Sequence, residues 1–411
     1  MRILYLLQDF PYPPTNGIRW KAYNLLTYMA QRHECHILSF GEEASAQKAE
    51  KWIESLAGLR VLGLFALPMG WQLKAHQAKH TLLGDPPSLG RWESPALIRA
   101  IHQVANRYVY DVVHYDMINM AQYQPLLKST PGVLSTNDAM EMRYQRLAQS
   151  TANPIIKMLS YFKARRMAVY EAKALQDFAT VHVVSQIDAD FLISCNPLAN
   201  NVEVISLCVD PTFLDVPLHH ADCEDIRARK AVIFSAGHLR VPYIAEPLLQ
   251  FARGGFRQIR SIWPNVEFFV VGRNAPTKVA RILAAEPGVF FVPWVEDYKE
   301  ALRRSDIAIF LDKSGGGIKT RVIQALAVGK PVVATPIALE GINVTNGLNA
   351  FKCISPNEVT KTVVRLLRDT DLRLRMGRAA RELINQQYTK SIIGQQWEQL
   401  YHRAINRELP R

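Results

Sequence analysis

Cysteine is scarce in this chain. Its 411 residues hold five, Cys35, Cys195, Cys208, Cys223 and Cys353, scattered and without C-x-x-C spacing. Such usage argues against a disulfide frame or a zinc cluster and for a reducing compartment. No apolar run approaches the ~18–20 residues that cross a bilayer. The first apolar stretch turns polar at Gln8-Asp9, which is too short for a signal peptide. These absences lead to the expectation of a cytoplasmic protein, membrane-peripheral at most. Acidic residues are outnumbered, 37 Asp and Glu against 49 Lys and Arg, for a formal net charge of +12. That surplus suits nucleic acid, anionic membrane or phosphorylated small molecules. No nucleic-acid module accompanies it, so nucleic acid is not expected as a partner.

What the chain does have is a strand–loop–helix–strand alternation. Short apolar runs at Arg2–Leu7, His36–Phe40, Asp111–Tyr115, Val133–Thr136, Thr180–Val184 and Val202–Ile205 read as strands. A second series follows at Ala231–Ser235, Val266–Val271, Val289–Val292, Ile307–Leu311 and Pro331–Thr335. The pattern predicts an α/β protein with two doubly wound parallel sheets. One domain is expected over 1–210 and a second over 231–389. An exposed linker is expected over 211–230, carrying Pro211, Pro217, His219, His220 and the charged run Asp222–Lys230. His219, His220 and Cys223 match no metal-ligand spacing. The helical stretch of about 390–411 is expected to return to the first domain, anchored by Trp397 and Tyr401. Residues 63–95, interrupted by Pro68, Gly70, Gly84, Pro86, Pro87 and Gly90, read as an insertion over a substrate cleft or a surface excursion.

A long helix, Pro154 to about Asp177, carries Lys157, Lys163, Arg165, Arg166 and Lys173 among Ile155, Leu159, Phe162 and Tyr170. It fits either a basic face lying on anionic lipid or the solvated outside of a packed helix.

The stretch Ser314–Thr335 reads as glycine loop, amphipathic helix and buried strand. Gly315, Gly316 and Gly317 permit close backbone approach. Ile318, Val322, Ile323, Leu326 and Ala327 recur at helical spacing until Gly329-Lys330-Pro331 ends the helix. Free N–H groups at the helix start, with Lys319 and Arg321 in its first turn, make an anion site. An ordinary loop–helix–strand unit carries the same local pattern. Two further strand ends, Gly237 with Arg240 and Gly272 with Arg273, repeat the combination of glycine and cation. Three such ends on one sheet edge would suit a diphosphate. In the first half, Gly17 follows the Asp9–Asn16 breaker loop at a helix start. His114 is read at one strand end and Asn137-Asp138 at the next, positions suited to a hydroxylated ligand. A plain turn and a structural histidine fit the same residues.

Phe234–Tyr243, Phe268–Gly272, Val292–Leu302 and above all Gly315–Thr335 resemble retaining glycosyltransferases of family four, in the branch with a G-G-G-I-K loop. The resemblance continues more weakly through Pro11–Gly17, Asp111–His114 and Val204–Asp210. It implies the GT-B fold, two Rossmann-like domains facing a cleft, with C-terminal helices crossing back to the first. It further implies a nucleoside-diphosphate sugar donor, UDP or GDP, held by the second domain. The first domain would hold a glycan, lipid-linked or small-molecule acceptor. No cofactor and no metal are implied. Lys319 and Arg240 would contact the diphosphate, and His114 the donor sugar. Gly17, Gly237, Gly272, Arg273, Trp294, Gly316, Gly317 and Ile318 would line the donor site, with Asn137 and Asp138 toward the acceptor.

The family's paired glutamates, eight residues apart, are here Gly316 and Gln324. The second normally accepts hydrogen bonds from both ribose hydroxyls, whereas Gln324 has one accepting oxygen and a donating NH2. Two other readings stay open. One is a nucleotide-sugar epimerase using Asp138, Glu141 or Glu296. The other is a non-catalytic binder of sugar nucleotide or membrane.

Overall fold

The computed structural model describes residues 1–151, 153–197, 199–218 and 230–407. Most of the expected linker, with His219, His220, Cys223 and the charged run up to residue 229, lies outside them, as do the last four residues. The chain divides into two units, Met1–Cys208 with Lys390–Arg411, and Val209–Thr389.

The first unit is built on β1 (Arg2–Leu7), β2 (Glu34–Phe40), β3 (Leu59–Phe65), β4 (Val112–Asp116), β5 (Gly132–Asn137), β6 (Thr180–Val183) and β7 (Val202–Val204). Their order is β3-β2-β1-β4-β5-β6-β7, all parallel. A parallel sheet covered on both faces needs apolar strands throughout, and β1 is buried from Ile3 to Leu7. Successive side chains alternate between two cores. Leu4, Leu6, Val113, Tyr115 and Leu134 meet Leu97 and Ile101 of the helix Pro95–Arg107. Ile3, Tyr5, Leu7, Val112 and Val133 face Leu25, Leu26 and Met29 of the helix Gly17–Met29. They also face Trp397, Leu400 and Tyr401 of the helix Lys390–Asn406. That last helix lies close because residue 394 is glycine: a Cβ there would stand 2.3 Å from Tyr28 Cγ.

The second unit holds β8 (Val232–His238), β9 (Glu267–Arg273), β10 (Val289–Val292), β11 (Ile307–Phe310), β12 (Val332–Ala334) and β13 (Phe351–Lys352). Their order is β10-β9-β8-β11-β12-β13, again all parallel. Phe268, Val270, Ile307, Ile309 and Val333 form its core with Leu248, Phe251 and Phe256.

In each sheet the chain winds outward one way and then the other. The reversal falls between β1 and β4 in the first unit and between β8 and β11 in the second. Ligands of doubly wound sheets bind at the carboxyl ends of the strands beside such a reversal.

Some elements depart from the sequence expectations. The stretch 63–95 is not irregular: it contains the end of β3, the helix Gly70–Leu82 and a 3-10 turn at Pro87–Trp92. The segment between β8 and β9 forms two helices, Pro242–Arg253 and Gly255–Ile262. The Gly254-Gly255 break sets Gly255 against Thr360, whose Oγ1 would lie 2.3 Å from a Cβ. The helix after the glycine loop begins at Thr320, which leaves Lys319 at its N-cap.

Candidate functional site

In the first unit the carboxyl end of β1 opens into the loop 8–16. Asn16 caps the following helix, its Oδ1 accepting Arg19 N–H at 3.0 Å. Arg19 reaches back with two 2.8 Å hydrogen bonds to Asp9. The loop is thereby tied to the helix start, with Gly17 exposed at the first helical position. A Cβ on Gly17 would meet nothing within 4 Å. The space beside it is open to a ligand.

One turn further, Lys21 points inward on the same face as Leu25 and Tyr28. Its Nζ stands 2.5 Å from Asp116 Oδ1 and donates to Ser135 Oγ and Asn137 Oδ1, both at 2.6 Å. Ser135 Oγ lies 2.9 Å from His182 Nδ1, and His182 Nε2 lies 2.8 Å from Ile205 O. A carbonyl can only accept, so Nε2 carries the hydrogen and Nδ1 accepts from the serine. Burial holds His182 well below the usual histidine range, with the nearby Lys21 charge adding to the effect. For Asp116, burial pushes the carboxyl up, but the Lys21 ammonium and His114 outweigh it and leave it below its ordinary value. Met117 (φ 73°), just past β4, and Asn137 (φ 68°), the last residue of β5, take the left-handed conformation without being glycine. Backbone strain of this kind gathers at functional sites.

Of the first-unit candidates, His114 is placed differently from expectation, while Asn137 and Asp138 stand at the strand end as expected. His114 does not end its strand. It is the third residue of β4, 1% exposed, under the helix Lys390–Asn406. Its Nδ1 meets Tyr401 Oη at 2.9 Å, and its ring lies 5.1 Å from that of Tyr5 and 5.3 Å from that of Trp397. Alternation sends His114 to the helix-covered face, and it is Asp116 that ends the strand. Asn137 does end β5, but its carbonyl is engaged by Lys21. Asp138 is half-buried with Arg143 Nη1 3.8 Å away. The Lys21 cluster was not foreseen. Its one signal is a lysine in register with Leu25 and Tyr28 on the buried helix face.

In the second unit the three ends read as a phosphate site belong to β9, β8 and β11, which are neighbours. Leu239 N–H donates to Arg273 O at 2.9 Å, and Asn274, at φ 53°, sets its Nδ2 2.9 Å from His238 Nε2. Arg240 and Arg273 are both exposed at this edge. Gly237 and Gly272 answer to packing: a Cβ would come within 2.7 Å of Ile244 in the first case, and 2.5 Å of Leu239 in the second. Trp294, 69% exposed, follows β10 at the outer edge of the sheet, two strands removed from β8.

Beyond β11 the glycine loop needs its glycines at two positions, Gly315 (φ 121°) and Gly317 (φ 61°). Gly315 faces the Tyr243 ring, 3.4 Å from a Cβ, and Lys313 N–H donates to Tyr243 O at 3.1 Å. Ile318 is buried, which anchors the loop to the core. Lys319, 7% exposed, turns back on the loop, its Nζ donating to Gly317 O at 2.7 Å and lying 3.7 Å from Glu340 Oε2. No side chain caps the helix Thr320–Ala327. Lys319 Nζ also lies 3.4 Å from Gly316 O, close to the helix start. Arg321 is instead committed to the buried Asp312, with its guanidinium over the Phe310 ring. Gln324 is half-buried on the second turn. Nothing local in the sequence marks Glu340, since its approach to Lys319 depends on β12 pairing with β11.

A hollow of about 550 Å³ elsewhere in the first unit is lined by Leu175, Phe178, Ala179, Asn200 and Asn201. Those residues precede β6 and β7, so it opens at the amino edge of the first unit's sheet, away from the carboxyl ends that carry Asp116 and Asn137.

Residues 232–369 match the family model described as Glycosyl transferases group 1. Over 124 residues the chain is 27% identical to an uncharacterized glycosyltransferase of Methanocaldococcus jannaschii. That alignment takes in 29% of this chain and 31% of the relative, so it spans about a third of the relative's length. Solved structures resemble nearly the whole chain. Anabaena HepE in complex with UDP superposes with a TM-score of 0.68 at 17% identity, over 97% of this chain and 99% of that one. Sucrose-phosphate synthase from Thermosynechococcus elongatus gives 0.71 at 15% identity, over 98% and 99%. A glycosyltransferase from Rickettsia africae gives 0.68 at 13%, over 99% of each. Likeness at these identities defines a fold: two doubly wound parallel units of the GT-B glycosyltransferase type.

Proposed function

We propose that the protein is a retaining glycosyltransferase that needs no metal. The observation that carries this reading is the side-by-side placement of the β9, β8 and β11 ends beside the second unit's sheet reversal. Two exposed arginines, a glycine loop and an uncapped helix N-terminus meet there, within the segment that matches the Glycosyl transferases group 1 model. The donor is a nucleoside-diphosphate sugar. UDP is the first base to test, because HepE has been crystallised with UDP and with UDP-glucose. The acceptor is a hydroxyl of a glycan, a lipid-linked carrier or a small molecule.

In this reading Arg240, Lys319 and the helix start at Thr320 stabilise the negative charge of the departing diphosphate. The bond from the anomeric carbon to the diphosphate oxygen breaks, and the bond to the acceptor oxygen forms on the same face. The acceptor proton passes to a departing phosphate oxygen, so no protein base is required. Gly316 and Gly317 offer backbone close to the sugar and phosphate; in the first unit, the opening at Gly17 offers its N–H to a ligand of that unit. His114 acts through Asp116 and Tyr401, as a positioning residue.

Arg240→Ala changes an exposed side chain, and we expect it to lower kcat/KM about 100-fold or more with the melting temperature unchanged. Lys319→Met should lower kcat/KM as far and, because it removes the cation beside the buried Glu340, lower the melting temperature as well. Near-normal turnover in both variants would sink the reading. A thermal-shift panel of UDP, GDP and their sugar conjugates identifies the base, since ligand binding raises stability by mass action.

A further inference from the structure

The helix Pro154–Asp177 buries a narrow row, Ser160, Ala164, Met167, Glu171, Ala174 and Leu175. The apolar residues interleaved among its cations stand in solvent, where a packed amphipathic helix would bury them. Ile155, Ile156, Met158, Leu159, Tyr161 and Phe162 are all exposed, Met158 by 65%. The helix Gly70–Leu82 adds Trp71 at one end and Leu82, 88% exposed, with Leu83 at the other. Arg166 joins the two helices. Its Nη1 donates to Thr81 O and Asp85 O at 2.8 Å, and its guanidinium lies 4.6 Å from the centre of the Phe162 ring. Phe162 and the Leu82–Leu83 turn therefore share one surface. Contiguous exposed apolar area of this kind marks an interaction site.

The charge around it is mainly positive, with Asp85 beside His80 and Glu93 paired to Lys79 at one edge. No Asp or Glu occurs between Glu54 and Asp85, or between Glu141 and Glu171. Those intervals carry Lys74, Lys79, Lys157, Lys163, Arg165 and Arg166. Lys157, Lys163 and Arg165 are exposed among the apolar side chains. Protein interfaces deplete lysine at their centres, whereas lysine and arginine mixed with leucine, isoleucine and aromatics suit the boundary of an anionic bilayer. Among the described residues no helix is long and apolar enough to cross a membrane, so contact here is from one side.

We propose that this face of the first unit docks on an anionic lipid bilayer. Ile155, Met158, Leu159 and Phe162 enter the headgroup–acyl boundary, with Lys157, Lys163 and Arg165 on lipid phosphates and Trp71, Leu82 and Leu83 flanking. One consequence rests on the transfer reading above: the acceptor is then carried on a lipid in that membrane.

The test is co-sedimentation of the full chain with vesicles, without any sugar nucleotide, so failure of the transfer reading cannot mimic failure of docking. One set is phosphatidylcholine alone and the other contains about one-third phosphatidylglycerol. We expect pelleting with the anionic vesicles, weakened by high salt. Leu159→Glu with Phe162→Glu should cut the bound fraction about tenfold or more, at unchanged melting temperature because both side chains are exposed. Lys157→Glu with Lys163→Glu should abolish the preference for the anionic set. No pelleting, or equal pelleting with both vesicle sets, overturns the proposal. So does light scattering that shows a dimer broken by the Leu159/Phe162 pair without vesicle binding, since the face would then bind a second copy.

Discussion

Lys21 Nζ lies 2.5 Å from Asp116 Oδ1, with side-chain exposures of 4% and 0%. His114 Nε2 lies 3.9 Å from the same Asp116 oxygen, so two groups that can carry positive charge face one buried carboxylate. A buried pair of this kind is costly to break from one side, because the remaining charge is left in low dielectric. We predict that Lys21→Met destabilises the first unit by about 3–5 kcal/mol, read from urea denaturation. Adding Asp116→Asn should restore a large share. A single variant within about 1 kcal/mol of the parent, below the range for broken buried pairs, would show that the pair contributes nothing.

Gln324 stands where a carboxylate is expected for the ribose. Gln324→Glu should tighten binding of a nucleoside diphosphate about tenfold, since bonds to an ionised acceptor are stronger. Isothermal titration decides, and weaker binding by the variant would place the ribose elsewhere.

Gly17 has space around it and an ordinary backbone conformation. Gly17→Val should leave the melting temperature nearly unchanged while filling the opening, so that donor turnover falls and stability does not. A large loss of stability would mean that the glycine serves the fold.

Stability should pass through a maximum with pH. His114 and His182 have values depressed by burial. The unfolded chain therefore binds more protons below the free histidine value of about 6.5, and stability falls as pH drops through that region. Glu171 works in the other direction. Burial pushes it up to about 8, despite backbone N–H bonds from Met140 and Glu141 that pull it down. Its contribution is present below the unfolded carboxyl value and is lost as pH rises through about 8. Denaturation midpoints measured from pH 5 to 9, an interval chosen to bracket these values, should peak near pH 6.5. His182→Gln should flatten the acid limb and Glu171→Gln the alkaline one. Unchanged slopes in both variants would remove these groups as the cause.

Much of the fold was legible because buried parallel strands must be apolar throughout. Arg2–Leu7 and Ile307–Phe310 announce themselves in that way. β3 did not, because an edge strand with mostly half-exposed residues lacks the continuous apolar run. The glycine loop could be read from Gly315 to Gly317, since left-handed turns ask for that residue. Lys21 and Glu340 could not be read in the same way. Each acquires its partner only when a strand from elsewhere in the sequence, β4 or β11, is laid beside it. His114 was misplaced by the strand's end: two residues decide whether a side chain meets the covering helix or the ligand edge.

The helix Lys390–Asn406 covers Tyr5, His114 and His182 in the unit that holds the chain's first strand. During synthesis that unit must wait for its cover. Residues Val209–Thr389 form an uninterrupted unit and can close first, while the earlier sheet keeps an apolar face open until Trp397 emerges. The part made first is finished last, because the helix that covers it is made after the whole of the second unit.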